Sequence, residues 1–158
     1  MLDCEIKIID TPEQFSRLKT YVTKLHPEYT VIDTETDGLN TKTARLFGLG
    51  ICFNSKYAFY IPWRRPDQSM YWDETLADEI KTFVLNTCKQ TKVIGHNIIY
   101  DILVLETNWQ YDLTPHLYCD TILLKHTIDE ENPFGLKEVS VKYLGDWANK
   151  AQQDLYDN

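Results

Sequence analysis

The sequence predicts an α/β fold with a mixed central sheet flanked by helices. Short β-branched and apolar segments alternate along the chain with longer segments whose apolar residues recur at helical spacing. Two neighbouring apolar segments are joined through Asn54-Ser55, a connection typical of a hairpin, so antiparallel pairing is expected inside an otherwise parallel sheet. The length of 158 residues suits one domain with its own core.

The first half of the chain contains two predicted helices and four predicted strands. A helix begins at Pro12, after a polar cap and before an acid in its first turn, and His26-Pro27 ends it near Leu25. Residues 29–33 (YTVID) are β-branched and apolar, which predicts a buried strand broken by Asp37-Gly38. The other elements are strands at 5–9, 46–53 and 57–62 and a helix at 74–85.

The second half continues the alternation. Residues 93–94 predict a short buried strand that Gly95 ends. Residues 97–106 carry apolar side chains around most of a helix surface, so this helix should be mostly buried. The remaining elements are a strand at 117–119, a helix capped by Asp120 that runs to about His126, and a helix at 136–143 closed by Leu144-Gly145.

Composition excludes several classes of protein. The formal net charge of −8 argues against a protein whose affinity rests on a basic surface, but it is compatible with a site for divalent cations. There is no apolar run of 18 residues, so we expect no membrane span. The four cysteines form no C-x-x-C pair and the four histidines no H-E-x-x-H motif, so the histidines should make polar contacts. We expect a cytoplasmic monomer.

A pair of acids ends the predicted strand at 29–33. Asp33 and Glu35 are two residues apart, which places both side chains on one face of a strand and Thr34 on the other. The pair lies where open α/β sheets bind ligands, and the two carboxylates repel each other unless a cation lies between them. The alternative is a solvated acidic strand end. The full pattern D-x-E-T-x-G-L, which continues to Leu39, is much rarer than D-x-E and favours a site.

A third acid lies in the apolar segment GHNIIYDILVL. Asn97, Tyr100 and Asp101 are spaced to share one helix face. An acid in such a helix is costly unless it is paired or binds a metal, so the alternative for Asp101 is a salt bridge to a lysine or arginine. The alternative for Asn97 is a helix cap.

Together these segments resemble the DEDD superfamily of 3′–5′ exonucleases, which has a ribonuclease H-like fold, and within it the proofreading domain of family A (polymerase I-like) DNA polymerases. The D-x-E-T motif is matched by Asp33, Glu35 and Thr36, and the second motif by Asn97 and Asp101. The resemblance extends from about residue 29 to residue 145. It includes the hairpin at 44–62 with its Y-I-P end, the D-T-x-L start at 120–123 and the segment GLKEVSVKYLG at 135–145.

The resemblance implies a mechanism and a substrate. Asp33 would bridge two divalent ions, Mg²⁺ or Mn²⁺, with Glu35 and Asp101 completing their shells. Thr36, Leu39 and Asn97 would then belong to the substrate-binding set, with Leu39 packing on the terminal base and Asn97 positioning the strand. For Leu39 the alternative is a turn side chain packed on the core. The implied partners are the 3′ end of single-stranded DNA and a polymerase domain in the parent chain.

The family pattern also requires a third motif, Tyr-x-x-x-Asp or His-x-x-x-x-Asp. None of the tyrosines and histidines that follow Asp101 begins either one, although Asp154 or Asp157 could in principle substitute for its acid. We therefore expect residues 1–158 to form a single exonuclease-like domain that is C-terminally incomplete, binds metal loosely and cleaves slowly or not at all. The alternatives are an RNA exonuclease of the ribonuclease D type and a non-catalytic interaction or scaffold domain.

Overall fold

The computed structural model describes residues 4–131 and 133–145. Within these residues the elements alternate as the sequence predicts. In chain order they are β1 (Glu5–Ile8), α1 (Pro12–Leu25), β2 (Tyr29–Thr36), β3 (Leu46–Cys52), β4 (Tyr57–Pro62), α2 (Glu74–Gln90), β5 (Lys92–Gly95), α3 (Ile98–Trp109), a 3₁₀ turn (Thr114–His116), β6 (Leu117–Asp120), α4 (Thr121–Ile128) and α5 (Leu136–Leu144).

The strands form one six-stranded sheet in the order β1-β4-β3-β2-β5-β6. Strand β3 runs antiparallel to both of its neighbours, β2 and β4. The other pairs, β1 with β4, β2 with β5 and β5 with β6, are parallel. The prediction of a mixed sheet that contains one hairpin is therefore confirmed, and β2 lies inside the sheet between β3 and β5.

Local signals explain where α1 begins and ends. Thr11 caps the helix in a reciprocal capping box with Gln14, and Pro12 occupies the first turn. His26 ends the helix in a left-handed conformation with φ of 48°. Both ends agree with the prediction.

Three elements extend three or more residues beyond their predicted ends because tertiary packing continues there. Strand β2 continues to Thr36, since its pairing with β3 persists as far as the Thr36–Leu46 partners. Helix α2 continues to Gln90, with Thr87 and Cys88 still buried in its last turns. Helix α3 reaches Trp109, whose side chain is almost fully buried.

The core lies on one face of the sheet, between the strands and helices α1, α2 and α3. From β2 and β3, Ile32, Leu49 and Ile51 contribute to this core. The opposite face is more open, and the exposed side chains there include Ile6, Ile8 and Val31. Because side chains alternate along a strand, Asp33 and Glu35 share this open face with Val31.

No helix in the described part of the chain is long and apolar enough to cross a membrane.

Candidate active site

The first two acids lie at the carboxyl end of β2, on the open face of the sheet. Both Asp33 and Glu35 are exposed, whereas Thr34 between them is buried on the core side. The prediction that the two carboxylates share a face is confirmed. Their cross-strand partners on β3 are Gly50 and Gly48. No β3 side chain therefore covers either carboxylate.

The surroundings of Asp33 disfavour the negatively charged form of its own carboxyl group. Although the Asp33 side chain reaches solvent, partial burial of its carboxyl group raises its pKa, and the charge of Glu35 raises this pKa further. A positive charge on the His96 imidazole would lower this pKa, so the imidazole lies within electrostatic reach of Asp33. A cation bound between the two carboxylates would offset the repulsion between them.

The third acid, Asp101, is buried in the first turn of α3 and points towards β2. Its Oδ1 accepts hydrogen bonds from the backbone N–H of Thr34 at 2.8 Å and from the Thr34 hydroxyl at 2.7 Å. Within the described residues Asp101 forms no ion pair, and its partner is Thr34 instead. Thr34 thus ties the helix acid to the strand that carries the other two.

Burial is the main reason that the pKa of Asp101 rises from 3.8 to about 6. The charge of Asp33 also raises it, while the two hydrogen bonds from Thr34 oppose the shift. Between about pH 4 and pH 6 the folded protein holds a proton that the unfolded chain releases, so the free energy of unfolding falls as the pH rises through this range.

Asp101→Asn is expected to remove this pH dependence in the metal-free protein. The amide oxygen can still accept from Thr34, but no buried charge forms at neutral pH. Because the shift runs from 3.8 to about 6, the variant should be more stable than wild type at pH 7.5 by up to about 3 kcal/mol. At pH 4 the two proteins should be nearly equal. Urea denaturation in EDTA at pH 4 and at pH 7.5 measures the difference in the free energy of unfolding between the two proteins. An equal gain in stability at both pH values would contradict the assignment of the effect to the buried charge of Asp101.

Asn97 occupies the N-cap position of α3, but its side chain does not cap the helix. Its backbone is left-handed, with φ of 59°, and the side chain makes no capping hydrogen bond. The carboxylate of Asp120 instead accepts from the backbone N–H groups of Asn97 at 2.9 Å and Ile98 at 3.2 Å. The cap alternative is wrong for this side chain, which remains exposed at the mouth of the site.

Thr36 and Tyr100 hold the turn that follows β2. The Tyr100 hydroxyl donates to the Gly38 carbonyl at 2.6 Å and lies 2.5 Å from the Thr36 hydroxyl oxygen. Leu39, on the same turn, is 92% exposed, so the alternative that it packs on the core is wrong. The structure leaves this large apolar side chain in solvent beside the acids.

His96 is a site residue that sequence reasoning expected to make an ordinary polar contact. It does so, because its Nδ1 lies 2.9 Å from the Thr121 hydroxyl, which donates its proton to the Gly95 carbonyl. From this geometry we assign the hydrogen to Nδ1, which leaves a lone pair on Nε2. Nε2 is buried and has no hydrogen-bond partner among the described residues. Strand register indicates this position. Ile94 of β5 pairs with Val31 of the parallel strand β2, and His96 and Asp33 each lie two residues further along.

These groups have the chemistry of a divalent cation site. Carboxylate oxygens suit hard cations, and the unpartnered Nε2 of His96 adds a nitrogen donor. Within residues 4–131 and 133–145, however, no three acids, histidines or cysteines converge closely enough to hold a metal. One oxygen of Asp101 is engaged by two hydrogen bonds from Thr34. Asp154 and Asp157 lie outside the described residues.

Comparison with known proteins assigns the family. Residues 6–158 match the model of a protein family described as 3′–5′ exonuclease. DNA polymerase I of Borreliella burgdorferi is 32% identical over 117 residues, which make up 74% of this chain and 12% of that protein. The chain thus spans about an eighth of that relative.

Two solved structures share the fold. RNase D of Escherichia coli has a TM-score of 0.63 at 16% identity, over 89% of this chain and 34% of that one. NrnC of Brucella melitensis, solved with bound Mg²⁺, has a TM-score of 0.60 at 22% identity, over 92% of this chain and 66% of that one. The ribonuclease H-like fold is confirmed. This chain belongs to the DEDD family of 3′–5′ exonucleases, which also includes the proofreading domains of polymerase I-like enzymes.

Proposed function

We propose that this domain removes nucleotides from the 3′ end of single-stranded DNA and serves a polymerase domain in its parent chain. The observation that carries the proposal is the set of acids at the end of β2. Asp33 and Glu35 are open to solvent on one face, and Thr34, which lies between them in sequence, hydrogen-bonds Asp101. The relationship to DNA polymerase I supports DNA as the substrate.

The site would hold two divalent ions, Mg²⁺ or Mn²⁺. Asp33 interacts electrostatically with both other acids and would contact both ions, with Glu35 and Asp101 each serving one. When bound, such ions supply an activated water and stabilise the leaving 3′ oxygen of a phosphodiester. Bound cations would also offset the mutual repulsion of the acids, which, after burial, contributes to the raised pKa values of Asp33 and Asp101.

Substrate contacts follow from the exposed groups around the acids. The side chain of Leu39 extends into solvent and would pack against the terminal base. The exposed amide of Asn97 would hydrogen-bond the strand, and Glu35 would reach the terminal 3′-hydroxyl. Thr36 acts indirectly, because its hydroxyl joins Tyr100 in holding the turn that carries Leu39.

We further propose that this chain binds metal loosely and cleaves slowly by itself. One oxygen of Asp101 is occupied by Thr34, and the sequence after Asp101 lacks the third motif with its fourth acid. With a net charge of −8 the domain would also hold a polyanion weakly unless a tethered polymerase delivers the 3′ end.

Single-turnover cleavage of labelled oligonucleotides tests the proposal. With enzyme in excess and Mn²⁺ present, a 5′-labelled DNA strand should shorten slowly from its 3′ end, and an RNA strand of the same sequence should shorten less. Faster cleavage of RNA would favour the ribonuclease D-type alternative. Failure to bind Mn²⁺ at millimolar concentration would favour the scaffold alternative. Rapid, processive digestion would contradict the expected weakness of the isolated chain.

A further inference from the structure

We propose that Tyr60 is a positioning residue for Glu35 and that glycine at position 48 makes room for the Tyr60 phenol. The inference rests on the proposed function, because it assigns Tyr60 to the same metal-binding site. Neither Tyr60 nor Gly48 belongs to the acidic motifs, and both lie on the hairpin formed by β3 and β4.

The strand register brings Tyr60 to the open face beside the acids. Gly48 and Gly50 on β3 pair with Glu35 and Asp33, and Tyr60 on β4 pairs with Gly50. Directly paired residues present their side chains on the same face of a sheet. Tyr60 therefore shares the face of the two carboxylates, although β3 separates its own strand from theirs.

The absence of a side chain on Gly48 lets the Tyr60 ring cross β3. A Cβ added to Gly48 would lie 2.1 Å from the Tyr60 hydroxyl oxygen and 2.4 Å from its Cζ. The phenol oxygen thus occupies the place where the side chain opposite Glu35 would begin. Directly opposed Cβ positions are about 5 Å apart, so the hydroxyl lies next to the Glu35 side chain.

Both groups are available to each other. Among the described residues, neither the Glu35 carboxylate nor the Tyr60 hydroxyl makes a side-chain hydrogen bond, so each is free to pair with the other. The Tyr60 phenol is a hydrogen-bond donor and a carboxylate is an acceptor, so Tyr60 can donate to Glu35. A donated hydrogen bond would fix one carboxylate oxygen and aim the other at the cation. Groups that orient metal ligands in this way commonly change metal affinity by 10–100-fold.

Manganese binding to three variants of the full chain, measured by electron paramagnetic resonance, tests the inference. Tyr60→Phe removes one oxygen and no packing, and it should weaken Mn²⁺ binding about tenfold with the melting temperature nearly unchanged. Gly48→Ala should weaken binding similarly by displacing the ring. The double variant should bind Mn²⁺ no more weakly than the weaker-binding single variant, because both substitutions break the same interaction between Tyr60 and Glu35. Tyr57→Phe, on the same strand but the core face, is the matched control and should bind as wild type does.

The outcomes separate this inference from the proposed function. If wild type binds Mn²⁺ and Tyr60→Phe binds it within twofold as tightly, the role of Tyr60 is refuted while the metal site stands. If the loss of Mn²⁺ binding free energy in the double variant equals the sum of the losses in the two single variants, the role given to Gly48 is refuted. If wild type itself binds no Mn²⁺, the proposed function fails, and the inference fails with it.

Discussion

Asp33→Asn is expected to raise the melting temperature of the metal-free protein and to abolish its stabilisation by Mn²⁺. In wild type, burial and the neighbouring Glu35 both disfavour the charge on Asp33. Asparagine removes that charge with little change in shape, so the metal-free fold should become more stable. Wild type should in turn gain about 1.4 kcal/mol when Mn²⁺ is present at ten times its dissociation constant.

Thermal melting with EDTA and with Mn²⁺ measures both effects. For a domain of this size, 1 kcal/mol corresponds to a shift of roughly 2–4 °C. The order of the two melting temperatures should reverse between the conditions, with the variant higher in EDTA and wild type higher in Mn²⁺. Asp78→Asn, which changes an exposed aspartate on α2, controls for net charge and should respond to Mn²⁺ as wild type does. Equal stabilisation of wild type and Asp33→Asn by Mn²⁺ would mean that the ion binds elsewhere.

Asp120→Ala is expected to be the most destabilising of the substitutions considered, with a loss of about 3–4 kcal/mol. The Asp120 carboxylate is buried and accepts from three backbone N–H groups, those of Asn97, Ile98 and Ile122. It therefore caps α4 and holds the first turn of α3 at the same time. Alanine leaves three amides without an acceptor, and each unsatisfied buried group costs about 1–3 kcal/mol, less whatever water recovers.

Urea denaturation measures this loss against two matched variants. Asp120→Asn keeps one acceptor oxygen and should lose distinctly less stability. Asp112→Ala removes an exposed aspartate that also accepts from a backbone amide, that of Thr114, and it should lose little. Because α3 carries Asp101, the alanine variant at 120 should also lose its response to Mn²⁺. If the urea midpoint of Asp120→Ala equals that of Asp112→Ala, the three hydrogen bonds to Asp120 do not hold the site together.

Local periodicity was enough to predict most of the fold and the core of the site. The alternation along β2 predicted that Asp33 and Glu35 share a face, and helical spacing predicted that Asp101 lies on α3 with Asn97 at its start. The mixed sheet followed from one short connection between β3 and β4. These features depend on residues within a few positions of each other, where sequence patterns are informative.

The missed features all depend on contacts between residues far apart in the chain. The lone pair on His96 is assigned only once Thr121, 25 residues later, is known to bind Nδ1. The bond from Thr34 to Asp101 spans 67 residues and decides which way the acid points. The place of Tyr60 above Gly48 depends on strand register, which no local pattern contains.

The central claim is that the acids at the end of β2 form a metal-dependent exonuclease site, and cleavage by matched proteins tests it most directly. Wild type and Asp33→Asn are each incubated in excess with a 5′-labelled single strand and Mn²⁺, and the products are resolved at single-nucleotide length. We expect a slow series of products shortened from the 3′ end with wild type and none with the variant. The same products at the same rate from both proteins would contradict the claim.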